Sequence, residues 1–126
     1  MLLHREMQEF GGGTLQHEHP ERPNRTRCMW LHLQRRGLLN DTNAVKIPPR
    51  LARQEELLGV HSKAHCQAVD AISAIPEGIH FGGDTYSCAD SSVAARLSCA
   101  GVIDTALAVL QGKCDNAVAV VRPPGH

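Results

Sequence analysis

The run Ala117–Val121 is apolar at every position and is closed by Pro123-Pro124, and no other feature limits the possible folds as strongly. A strand with no polar face needs cover on both sides, as the strands of parallel sheets have. The two prolines deny the backbone a following helix turn or ladder bond, and Gly125 permits a path that other residues resist. The segment then delivers His126. In parallel α/β folds, the C-terminal ends of strands are where catalytic groups collect. Residues 120–126 therefore predict an active-site histidine, with the rest of the site missing from the chain as in a truncated enzyme.

The segments before this run are mostly helical. Residues 1–20 lack periodicity and carry Gly11-Gly12-Gly13, which predicts a loop-like lead-in. Pro23 suits a first helical position, and Thr26, Met29, Trp30 and Leu33 recur at helical spacing up to a stop at Gly37. Arg35 and Arg36 place cations at the negative end of that dipole. Ala44 to Ile47 reads as a short strand ended by Pro48-Pro49, and Gln54 to Val60 as a short helix. Ser62 is the expected N-cap of a helix from Lys63 to about Ala74.

Pro76 to Gly83 reads as a loop. The longest helix is expected from about Asp90 to Gln111, with Val93, Leu97, Ala100, Asp104, Leu107 and Ala108 near one stripe and Gly112 as its stop. Helices alternating with apolar runs predict an α/β layer fold with a parallel sheet. The few strands do not make a stable sheet alone, so the sheet is expected to be incomplete in this chain. No internal repeat offers a solenoid instead.

Size and charge narrow the function. The 126 residues suit one domain, and Lys+Arg 13 against Asp+Glu 13 gives a net charge of zero. That balance favours neither nucleic acid nor an anionic membrane surface as a partner. Five scattered cysteines form no CxxC pair, which supports neither a zinc ribbon nor a disulfide framework and fits a reducing compartment. The charged N-terminal residues do not resemble a secretory signal, and no segment reads as a membrane span, so a soluble intracellular protein is expected.

Two histidine groups fall short of metal sites. His17-Glu18-His19 offers two imidazoles without a third ligand and reads as a polar loop. His61 and His65 have helical spacing, but Ser62 stands where zinc-protease chemistry needs a glutamate. With Ser62 as a cap, His61 lies outside the helix and both rings read as packing or hydrogen-bonding groups.

Several segments together carry a family resemblance: His19-Pro20-Glu21-Arg22-Pro23-Asn24-Arg25, Glu55 to Ser62, Ala94-Ala95-Arg96-Leu97 with Gly101-Val102, and Asn116 with Val121 to His126. In this order they closely resemble the N-terminal part of a class II histone deacetylase, from about His4 onward. The HPExP and VRPPGH segments are the specific ones. The resemblance implies residues 1–126 as the N-terminal portion of one such domain, with 1–18 as lead-in. It implies a partial three-layer arginase-like fold, α/β, with a parallel sheet flanked by helices.

The resemblance also implies a chemistry, hydrolysis of acetyl-lysine in proteins at a zinc ion. The zinc would be held by two Asp and one His on loops with no counterpart here, so none is expected to be bound by this chain. Zinc polarises the amide carbonyl and its bound water, and a histidine beside it moves the proton. By position His126 resembles the first of a catalytic histidine pair; the second histidine and a later oxyanion-supporting tyrosine have no counterpart.

Gly125 shares the motif and is expected beside the substrate. Arg25 resembles an arginine lining an internal acetate channel, and Ser87 a rim residue that hydrogen-bonds the substrate backbone, with Asp84 as the alternative position. The HPE loop carries no constricting insertion, which favours acetylated proteins such as histones or tubulin over small polyamines. Acetylpolyamine or acetoin-utilisation-type deacetylases, and a non-catalytic truncated product that binds partners, are the competing readings. Little or no activity is expected of the chain alone, and a nuclear or cytoplasmic location.

Overall fold

The computed structural model describes residues 22–40, 42, 44–75, 77–82 and 85–124. The expected lead-in, the His17-Glu18-His19 group, most of the HPE loop, Asp84, Gly125 and His126 therefore lie outside the described residues.

Helix α1 (Asn24–Arg35) begins after Pro23, as expected, and the Thr26 hydroxyl donates to the Pro23 carbonyl at 3.1 Å. It ends with His32 and Arg35 in the last turn, near Gly37 at φ 69°. The face built on Thr26, Met29, Trp30 and Leu33 forms, but none of α1 is buried among the described residues.

Helix α2 (Gln54–Leu58) is capped from Arg53, whose backbone N–H donates to the Glu56 carboxylate at 2.7 Å. It buries Leu57. Helix α3 (Lys63–Ile72) starts where Ser62 Oγ accepts from the His65 N–H at 3.2 Å, the expected cap. Its turns end at Ile72, slightly short of Ala74.

The segment expected as a loop contains β1 (Ile79–Gly82), which pairs antiparallel with β2 (Thr85–Ser87). Ile79 faces Ser87 and His80 faces Tyr86, with an irregularity before Gly82 faces Thr85. Gly78 enters the hairpin at φ +71°, and a Cβ there would collide with the Ser87 carbonyl oxygen. Only glycine suits that position.

This hairpin is the one sheet among the described residues, and it is antiparallel. The expected strands at 44–47 and 117–121 lie in no strand. The physical reason is that a ladder needs a neighbouring strand, and an all-apolar run states a demand for neighbours without supplying one. The parallel sheet thus does not occur among these residues.

Helix α4 (Ser91–Leu110) carries the architecture. The Ser91 hydroxyl accepts from the Cys88 N–H at 2.9 Å, which ties β2 directly to the helix start. Ser92, Ala100 and Ala108 are its buried residues, spaced by eight, so that they fan around roughly 160° of the helix rather than marking one line. Of the stripe expected, Ala100 and Ala108 are buried, whereas Val93 and Leu107 are exposed. The helix is apolar on most sides, so its composition does not single out the face that packs.

The same property overturns the expectation that nothing here suits a membrane span. By length and composition α4, with 20 residues, is apolar enough to cross one. Its two charged side chains are nevertheless paired across the fold, Arg96 with Asp70 at 2.6 Å and Asp104 with Arg50 at 2.7 Å. Those pairs tie α4 to α3 and to the 44–53 segment.

Helix α3 packs on α4 and α2 on α3. Ala52, Leu57, Cys66 and Ala100 form the core, with Cys99 against it. Burying Leu57 stabilises by about 2 kcal/mol. Large apolar residues elsewhere stay in water: Val60 and Leu110 are each 82% exposed.

Candidate functional site

The end segment reaches its position through three contacts to elements far away in sequence. The Ser98 hydroxyl on α4 donates to the Pro123 carbonyl at 3.0 Å. One turn along, Gly101 leaves room for Val121, whose Cγ1 would lie 3.1 Å from a Cβ at that position. From the other side, Arg122 Nη2 donates to the Tyr86 hydroxyl on β2 at 2.9 Å. The stretch that leads into Gly125-His126 is therefore held between the middle of α4 and the hairpin.

The expected site residues divide accordingly. Ser87 sits beside Tyr86 on β2, so the hairpin that carries the expected rim residue and the segment leading to His126 share one hydrogen bond. Ser87 itself is buried, its Oγ accepting from the Ile79 N–H at 3.2 Å and donating to the Ile79 carbonyl at 3.4 Å. In this arrangement the hydroxyl holds the hairpin closed. Arg25 lies exposed in the first turn of α1, and no contact of α1 is among the principal packing contacts that join the other elements. Gly125 and His126 lie outside the described residues.

Ser98, Gly101, Tyr86 and Arg122 were not expected as site residues. Their partners stand 25 and 36 residues away for the two hydrogen bonds, so no local spacing announces them. Gly101 left a trace as a glycine inside a long helix and Arg122 as part of the VRPPGH segment, whereas Ser98 and Tyr86 left none.

A second polar framework supports α4 from behind. Arg50 grips Glu56 at 2.8 Å through both terminal nitrogens and Asp104 at 2.8 and 2.7 Å through Nε and Nη2. This double fork joins the 44–53 segment, α2 and α4. The Arg50 guanidinium, helped by the Arg53 amide, holds the Glu56 carboxyl down to about 2. Asp70 accepts from Arg96 and, at 2.6 Å, from the Ser92 hydroxyl, and these two donors hold its carboxyl below the usual carboxylate range.

A metal would need more than these residues offer. Among the described residues, no group of three or more His, Cys, Asp or Glu side chains is placed to hold one. His61 lies outside α3 with its ring 5.0 Å from that of His65, as the Ser62 cap predicts, and the pair lacks a third ligand.

Comparison with known proteins covers this same ground. The family model for the histone deacetylase domain matches residues 19–126. Histone deacetylase HDA1 of Saccharomyces cerevisiae is 36% identical over 123 residues, covering 86% of this chain and 17% of the relative. Histone deacetylase 15 of Arabidopsis thaliana is 36% identical over 126 residues, covering 100% of the chain and 22% of the relative. The solved HDA15 HD domain superposes with a TM-score of 0.79 at 36% identity, over 90% of this chain and 32% of that one. The resemblance read from the motifs is borne out, and the chain spans less than a quarter of the length of these two relatives.

Proposed function

Because this chain belongs to the histone deacetylase family, we propose that it is part of a zinc-dependent protein lysine deacetylase and that His126 belongs to its proton-handling machinery. The observation that supports this most is the anchoring of residues 121–123. Ser98, Gly101 and Tyr86 converge on the few residues before His126, in a segment that matches the family model to its last residue.

An imidazole near its ordinary range can accept a proton from water and return it to a leaving amine near neutral pH. That task needs a fixed ring position, and the anchored backbone supplies the fixed approach. Among the described residues nothing makes a site for the zinc ion. In this reading its ligands come from parts of the domain that this chain does not span, and the arginase-like parallel sheet is completed there. The substrates are acetylated proteins such as histones, met in the nucleus or cytoplasm, and Ser87 with Gly125 shapes the approach of the substrate backbone. Arg25 lines the acetate exit.

The test is a chimera in which these residues replace the matching stretch of the solved HDA15 HD domain. The chimera should release acetate from an acetyl-lysine peptide, and His126→Ala should lower kcat by about 100-fold or more with little change in KM. A folded chimera whose activity is indifferent to His126→Ala would overturn the reading.

A further inference from the structure

We infer that Cys66 and Cys99 form an oxidisable dithiol, two facing thiols that a hydroperoxide converts to a disulfide between α3 and α4. The helix register brings them together. Asp70 on α3 meets Ser92 and Arg96 on α4, each at 2.6 Å. One turn back along α3 from Asp70 stands Cys66, and one turn on along α4 from Arg96 stand Cys99 and Ala100. The two helices run antiparallel there, so the steps lead to the same level.

Packing agrees with the register. Cys66 and Ala100 belong to one buried cluster, and Cys99 packs against it. Small residues, Ser92 and Ala100, stand at the buried contact of α4, and a disulfide between Cys66 and Cys99 requires Cα atoms roughly 4.4–6.8 Å apart. Both thiols also line one cavity of about 80 Å³, together with Arg96, His61 and His65. The Arg96 guanidinium is held above its ordinary range chiefly by its hydrogen bonds to Asp70, with smaller Coulombic contributions from the sulfurs of Cys66 and Cys99 when ionised, so these side chains share one neighbourhood. All five cysteines are free, and Cys66 is the buried one.

The cavity admits a small hydroperoxide to Cys99, the less buried thiol. The Cys99 sulfur attacks the outer peroxide oxygen, the O–O bond breaks, and the departing oxygen takes the thiol proton. Cys99 is then a sulfenic acid. The Cys66 sulfur attacks it, an S–S bond forms, the S–O bond breaks, and water leaves carrying the Cys66 proton. The two sulfurs together lose two electrons and the peroxide gains them.

The experiment treats the full chain carrying Cys88→Ala with hydrogen peroxide, alkylates the remaining thiols and digests with trypsin. Cleavage after Lys63, Arg96 and Lys113 places Cys66 on peptide 64–96 and Cys99 on peptide 97–113. The expected product joins these two peptides, vanishes on reduction, and is lost in a chain that also carries Cys99→Ser. In concentrated urea the preference over pairings with Cys28 and Cys114 should be lost. If the native chain links Cys66 or Cys99 to Cys28 or Cys114 as readily, or carries both to sulfinic acid unlinked, the dithiol does not exist.

Discussion

At the scale of single residues, the end segment depends on small groups. Ser98→Ala removes the hydrogen bond to Pro123 and should cost about 1 kcal/mol, felt mainly as faster amide exchange at 121–124. Unchanged exchange there would mean the hydroxyl does not anchor the segment. At Gly101, alanine gains roughly 1 kcal/mol of helix propensity while crowding Val121 at 3.1 Å, so the two effects nearly cancel. Valine at the same place overpacks and should destabilise by about 1–3 kcal/mol, read from chemical denaturation.

Glu56 gives an acid signature. Its folded value near 2 lies below the ordinary 4.5, so its contribution is fully present above that value and is lost as pH falls towards 2. Glu56→Gln should therefore flatten the loss of stability across that window in an acid titration followed by circular dichroism. These residues were unequally legible beforehand. The VRPPGH segment stands out in the sequence, whereas Ser98 and Tyr86 matter only through partners that folding brings near.

At the scale of elements, legibility followed local chemistry. Helices α1, α2, α3 and α4 all lie near where apolar spacing and start or stop residues place them, with the Ser62 cap at α3, because those signals act within a few residues. Ser62→Ala should destabilise α3 by about 1 kcal/mol, lowering the thermal midpoint by several degrees; an unaltered midpoint would remove the cap from the account. The β1–β2 hairpin escaped notice because its strands are short and the sequence there carries Gly82-Gly83-Asp84, a pattern shared with loops. At 44–47 and 117–121, strand-like composition went unrealised because ladder partners are a property of the whole sheet. The packing face of α4 was hidden by the uniformity of its apolar surface.

At the scale of the whole molecule, helices meet through a core of a few small side chains while Val60, Leu110 and Val118 stay largely in water. Such surface favours association. Sedimentation at tens of micromolar should show species larger than a monomer, and a sharp monomer boundary would contradict that expectation. The chain covers 32% of a solved deacetylase domain, and under the proposed function the exposed faces are surfaces that the remainder of such a domain would cover. Fold family was legible from two motifs, and so was the expectation of an incomplete site; the anchoring of the end segment was not, since Ser98 and Tyr86 reach it only once folding brings them near. The most direct measurement is the zinc content of the purified 126-residue chain after dialysis, taken together with its acetyl-lysine cleavage. The account predicts neither stoichiometric zinc nor turnover. Zinc retained at one per chain alongside catalysed acetate release would contradict it.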